Sequence, residues 1–235
     1  MSLPVEYNYS IMMGTLHIVA TPIGNLEDVT LRAIKVLSDV DIIYAEDTRV
    51  TKRLTTYYKI LTPIKNYHQH SKDTKRFEIL RHLIEGKNVA LVTDAGTPGI
   101  QDPGNELIDF LLEKEPNIKI IPIPGVSALT ATLSVCGFNV NRFAFLGFLK
   151  KKKHRKTFKF LKDNKVRPFV FYESPHRIIK TLNEIKEIFG EETRVFVGRE
   201  LTKMHETLYR GRIGEVIKQL QEKKIKGEIV VVVEL

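Results

Sequence analysis

A short apolar run ending at Val92 opens directly into Thr93-Asp94-Ala95-Gly96-Thr97-Pro98-Gly99-Ile100-Gln101-Asp102-Pro103-Gly104, a stretch with three glycines, two prolines and two aspartates. Glycine lets a ligand approach the main chain, proline fixes the turn, and a carboxylate accepts hydrogen bonds from an amine or a ribose hydroxyl. Placed after a β-type run, such a segment is the ligand loop of an α/β sheet rather than a spacer.

The rest of the chain repeats the arrangement. Strand-type runs at 15–20, 41–45, 89–93 and 118–123 alternate with helical spacing at 28–37, 52–58, 77–85 and 106–113. Short connections between alternating elements predict a mostly parallel sheet covered on both faces. After Pro122-Ile123-Pro124-Gly125 the character changes, which sets an N-terminal lobe at 14–123, a C-terminal lobe at 124–235 and an N-terminal extension at 1–13. The C-terminal lobe reads as helix 127–134, strand 143–147, a basic helix, strand 168–172, helix 176–189, strands 194–198 and 205–211, helix 214–223 and a closing strand 229–234.

Thirty-seven Lys and Arg against 28 Asp and Glu leave a net charge of +9, which favours a polyanionic partner. The excess concentrates in Lys150-Lys151-Lys152-Lys153-His154-Arg155-Lys156, an acid-free run that repels itself unless something anionic lies opposite. No apolar run approaches bilayer length and the N-terminus lacks a signal-peptide pattern, so the expected place is the cytoplasm, with no membrane partner. Cys136 is the only cysteine, and its apolar neighbours make it a core thiol. His68 and His70 share a strand face, but no third ligand is near and no metal is expected. A Gly-x-Gly-x-x-Gly fingerprint and a Walker loop are both missing from the first strand-to-helix turn, which argues against dehydrogenases and kinases.

Thr21-Pro22-Ile23-Gly24-Asn25, Ala45-Glu46-Asp47-Thr48-Arg49, Asp94 to Gly99, Pro122 to Ala128, Tyr172-Glu173-Ser174-Pro175-His176-Arg177 and Arg199 to Lys203 occur in this order. Together they resemble the signature set of the small-subunit ribosomal RNA methyltransferase I branch of the tetrapyrrole methylase superfamily. The resemblance implies a two-lobed α/β fold, with a mostly parallel sheet in the first lobe and a mixed sheet in the second. It implies S-adenosylmethionine held in the cleft between lobes, 2′-O-methylation of a cytidine ribose in the decoding region of small-subunit ribosomal RNA, RNA or a ribosomal particle rather than DNA as partner, and a homodimer.

By motif, the resemblance assigns cofactor contacts to Pro22, Asp94, Ala95, Gly96, Ile100, Ser127, Ala128, Tyr172 and Leu201. A ribose hydroxyl is a weak nucleophile until its proton is shared or removed. Glu46, Asp47 and Arg49 in one lobe and Glu200, Lys203 and His205 in the other are the candidates for that task, and the residues alone name no single base. Lys150, Lys151, Lys152, Lys153, Arg155, Lys156 and Arg177 are the candidate RNA contacts, although Arg177 reads equally well as a helix-start residue. Two other readings share these features: a methyltransferase acting on a tetrapyrrole, against which the basic run argues, and a non-catalytic ribosome-binding protein, for which a charged cleft is unnecessary.

Overall fold

The computed structural model describes residues 13–68, 73–150, 154–222 and 224–234. The chain divides into two compact units, one comprising residues up to Pro22 together with Leu26–Val126, the other Ile23–Asn25 with Ser127–Leu235. Each has its own five-stranded sheet.

The first sheet is parallel throughout, in the order β3 (Ile64–Asn66), β2 (Ile42–Ala45), β4 (Val89–Val92), β1 (Thr15–Val19), β5 (Lys119–Ile123). Every residue of β2 and β4 is buried, because both faces of the sheet are covered and neither strand alternates apolar with polar. One face packs on α1 (Leu31–Asp39) and α2 (Thr48–Tyr57) through Ala33, Leu37 and Leu54. The other packs on α3 (Asp73–Ile84) and α4 (Asn105–Lys114) through Ile79, Leu83, Leu107 and Leu111.

Local chemistry sets the helix starts. Thr30 Oγ1 accepts from the Ala33 N–H at 3.0 Å, so α1 begins at Leu31, after a separate 3₁₀ turn at Leu26–Asp28, rather than at Asp28 as spacing suggested. Asp47 accepts from the Arg49 N–H at 2.8 Å and starts α2 at Thr48, four residues before the apolar periodicity becomes visible. Strand β3 was not expected at all. It is three residues long and not fully buried, and its pairing with β2 rather than its own composition makes it a strand.

Edge strand β3 is held to α3 by charge. Glu78 accepts from Lys65 Nζ at 2.6 Å and from Lys75 Nζ at 2.8 Å, and these hydrogen bonds lower its pKa to about 2.

The second sheet is mixed, in the order β6 (Ala144–Phe148), β7 (Phe169–Glu173), β10 (Ile229–Glu234), β8 (Arg194–Arg199), β9 (Thr207–Arg212). Strands β6 and β7 run parallel, and the remaining pairs are antiparallel. Alternate residues divide between its faces. Phe169, Phe171, Val195, Val197, Val231 and Val233 join one cluster with α6 (His154–Asp163), α7 (Ile178–Phe189) and α8 (Ile213–Gln221), while α5 (Ala128–Val135) packs against β10. Cys136, just after α5, is a fully buried thiol whose Sγ donates to Leu133 O at 3.3 Å. Among the described residues no helix is long and apolar enough to cross a membrane.

Glu173, the last residue of β7, is a buried carboxylate with a full set of partners. It accepts from the Ser174 N–H at 2.7 Å, from Thr181 Oγ1 at 2.7 Å and from the Arg177 guanidinium at 2.9 Å, and Arg177 also donates to Leu149 O at 2.9 Å. This network ties the exit of β7 to α7 and to the chain leaving β6.

Two outcomes are expected. Glu78 has a folded-state pKa below the ordinary 4.5, so its contribution to stability is complete above about pH 4.5 and is lost as pH falls toward 2. Thermal melts across that window should therefore fall more steeply for the native protein than for Glu78→Gln, and parallel curves would refute the assignment. Glu173→Ala should destabilise the protein by about 2 to 3 kcal/mol in urea titrations, somewhat less than a fully buried pair because the Arg177 side chain keeps 25% exposure. The double variant with Arg177→Ala should cost less than the two single losses combined.

Candidate active-site residues

Strands β1 and β4 are central neighbours whose outgoing connections run in opposite directions, one toward β2 and the other toward β5. In open α/β sheets a ligand crevice forms outside the carboxyl ends of such a pair. Here the two exits are joined. Thr21 N–H donates to Gly96 O at 2.8 Å, Gly96 N–H donates to Thr21 O at 3.0 Å, and Thr21 Oγ1 donates to Thr93 O at 3.0 Å. Gly96 sits at φ 87°, in the region that favours glycine. From β5 the same edge receives Gly125, where an added Cβ would lie 2.9 Å from the Ala20 side chain. Pro22, Asp94, Ala95 and Gly96 are thus gathered at one sheet edge, with Ile100 exposed farther along the loop.

The end of β2 is stitched to the same edge. Thr93 Oγ1 donates to Glu46 Oε2 at 2.9 Å, and the Asp47 N–H donates to Asp94 Oδ1 at 2.8 Å. Asp47 caps α2 and meets the Arg49 guanidinium at 2.6 Å. Those Arg49 hydrogen bonds pull its pKa down to about 2, which makes it a weak base near neutrality. Glu46 lies in no ion pair among the described residues. Thr93, which the sequence places at the strand end without a role of its own, holds both Thr21 and Glu46; a threonine next to an aspartate at a strand end carries no distinguishing signal.

The second unit supplies its own group. Ser127 is the N-cap residue of α5 but its hydroxyl makes no capping bond, and Ala128 is the first helical residue. Tyr172 on β7 packs edge-on to Phe145 at 5.2 Å and tilted to Phe148 at 5.2 Å. The loop after β8 is built on left-handed backbone at Glu200 (φ 52°) and Thr202 (φ 66°), which non-glycine residues seldom adopt. Leu201 is buried in it, and Gly24 lies so close that an added Cβ would come within 2.3 Å of Lys203 Cγ.

Lys203 Nζ donates to Glu200 Oε1 at 2.9 Å and Glu228 Oε2 at 3.1 Å. Burial opposes charge on both Lys203 and Glu200, but the hydrogen bonds prevail, raising the lysine pKa and lowering that of Glu200. Gly227 at φ 88° leaves room for the Glu200 carboxyl, and Glu228 completes the triad. Both were missed; a Gly-Glu step before the closing strand was the available signal. The exposed side chain of His205 lies in no ion pair among the described residues, although its carbonyl accepts from Arg199 at 3.0 Å.

Of the expected RNA contacts, Lys151, Lys152 and Lys153 lie outside the described residues, as does His70. Lys150 and Lys156 are exposed. Arg155 meets Glu187 at 2.7 Å and neighbouring His154 meets Glu184 at 2.7 Å, so part of the basic helix is neutralised by α7. Arg177 holds Glu173 and Leu149 in place, as the helix-start reading allowed.

The family profile of the tetrapyrrole (corrin/porphyrin) methylases matches residues 15–217. A protein of Synechocystis named ribosomal RNA small subunit methyltransferase I is 45% identical over 223 residues, covering 94% of this chain and 79% of that protein. The protein of the same name from Thermotoga maritima is 45% identical over 222 residues, covering 94% and 98%. Among solved structures, a cobalt precorrin-4 methyltransferase superposes with a TM-score of 0.71 at 18% identity, covering 94% of each chain. A uroporphyrin-III C-methyltransferase from Thermus thermophilus, in complex with S-adenosylhomocysteine, superposes at 0.63 with 18% identity, covering 93% and 97%. Those two likenesses establish the expected α/β fold, with its parallel and mixed sheets. With the profile spanning most of its length and relatives of one name matching it almost end to end, this chain belongs to the tetrapyrrole methylases, in their ribosomal RNA small subunit methyltransferase I branch.

Proposed function

We propose that this protein methylates small-subunit ribosomal RNA with S-adenosylmethionine as methyl donor, at the 2′-hydroxyl of a cytidine ribose in the decoding region. The observation that carries the reading is a joined, glycine-rich exit of β1 and β4 in a chain whose relatives at 45% identity share one ribosomal RNA methyltransferase name. The work belongs in the cytoplasm.

The residues suit such a donor. Gly96 and Gly125 present backbone without a side chain, the Ser127 hydroxyl is not engaged by its own helix, and Thr202 Oγ1 is buried with no partner among the described residues. The residues proposed to hold it are Pro22, Asp94, Ala95, Gly96, Ile100, Ser127, Ala128, Tyr172 and Leu201. Bound there, S-adenosylmethionine supplies a sulfonium methyl group for an attacking oxygen.

The protein's own task is to place the hydroxyl and accept its proton. Asp47 with Arg49, and Lys203 with Glu200 and Glu228, already satisfy one another, so their role is positioning. Glu46 and His205 lie in no ion pair among the described residues and are the candidates to take the proton.

A ribose-methylation assay on ribosomal particles tests the whole reading, and methylation of a tetrapyrrole in place of RNA would overturn it. In single-turnover experiments at saturating donor and RNA, Glu46→Gln or His205→Ala should lower the rate at least about tenfold, equal to roughly 1.4 kcal/mol of transition-state stabilisation. Asp47→Asn, which keeps the helix cap, should stay within about threefold. Wild-type rates in both of the first two variants would place the base elsewhere. Gly96→Val should abolish S-adenosylmethionine binding in calorimetry while the fold survives, and unchanged affinity would displace the donor from this loop.

A further inference from the structure

From Thr48 to Lys72 the sequence contains no acidic residue but holds Arg49, Lys52, Arg53, Lys59, Lys65 and Lys72. Lys65 is committed to Glu78 and Arg49 to Asp47. The others divide by the geometry of α2. Thr51, Leu54 and Thr55 are its buried positions, so Lys52, Arg53 and Thr56 fall on the outer face, and Lys59 follows just past its end. Lys52, Arg53 and Lys59 are exposed and have no carboxylate partner among the described residues. Beside them Tyr57 keeps 56% exposure, and a groove of about 410 Å³ runs between the first turns of α2, with Thr48, Arg49 and Lys52, and the chain entering β3 at Thr62 and Pro63.

We propose that this outer face of α2 binds the sugar-phosphate backbone of the RNA substrate. Three neighbouring cations without internal counter-charges repel one another in the free protein, and a phosphate chain relieves that repulsion while releasing its own condensed counterions. The groove places the Thr48 hydroxyl beside the cations, and phosphate oxygens take hydrogen bonds from Lys, Arg and Thr alike. The α2 face suits this better than much of the basic α6 helix, where Arg155, His154 and Lys162 are engaged by Glu187, Glu184 and Ile188 O. Its position matters as well: α2 begins at the strand end that carries Glu46, so a backbone held along it is held next to a candidate catalytic carboxylate.

This inference rests on the ribosomal RNA reading, and its test separates the two. Binding of a fluorescently labelled transcript of small-subunit ribosomal RNA is measured by anisotropy across a salt series, for the unaltered protein and for Lys52→Gln/Arg53→Gln/Lys59→Gln. Loss of three phosphate contacts should weaken binding at least about tenfold at physiological salt and flatten the log–log salt slope by about 2 to 3. Each single variant should flatten it by about 0.7 to 0.9, and Lys52→Arg/Lys59→Arg should keep both affinity and slope. Unchanged S-adenosylmethionine affinity and melting temperature exclude a folding defect. If the unaltered protein methylates ribosomal particles while the triple variant keeps its RNA affinity and slope, this inference falls alone. If the unaltered protein neither binds nor methylates RNA, both fall.

Discussion

Everything at the candidate active site depends on the parallel pairing of β1 with β4. The two strands are joined by a parallel backbone ladder, and just beyond it their exits are joined again by the antiparallel Thr21–Gly96 bridge. The bridge requires glycine-favouring backbone at Gly96, and the Thr21 hydroxyl reinforces it on Thr93. The loops that would face a ligand are therefore tied to each other by backbone hydrogen bonds at the sheet's end, which suits preorganised binding by backbone groups.

Charge is used with the same economy. Each unit stabilises its strand ends by giving carboxylates internal partners: Asp47 with Arg49, Glu78 with two lysines, Glu173 with Arg177 and two further donors, and Lys203 between Glu200 and Glu228. A carboxylate stabilised by a cation has less tendency to take up a proton. Among the described residues, Glu46, His205 and the α2-face cations Lys52, Arg53 and Lys59 stand outside these ion pairs. Strain accompanies them, since Glu200 and Thr202 hold left-handed backbone within the loop that carries Lys203 and His205. Backbone of this kind persists only where surrounding contacts over-determine it, here Gly24, Gly227 and Glu228.

Much of this was legible in the residues. The alternation of strand and helix, the buried runs at Ile42–Ala45 and Val89–Val92, the glycine-rich loop, the core thiol and the family motifs could be read locally, because burial on both faces forces continuous apolar strands and ligand loops need glycine and proline. Less legible were the helix starts at Leu31 and Thr48, which depend on single capping bonds, and β3, which needs a partner strand to exist.

What the sequence determined by itself was chemical inventory and order: which residue types stand at which strand ends, and a surplus of positive charge. What only the tertiary structure decided was which of those charges are cancelled. Asp47 and Arg49 are two residues apart and their pairing is local, but Lys203 meets Glu228, Arg155 meets Glu187 and Lys65 meets Glu78 across long stretches of chain. Because Coulomb energy depends on distance in space and on burial, and neither is written along the chain, a basic run in sequence and a basic surface in the folded protein need not coincide.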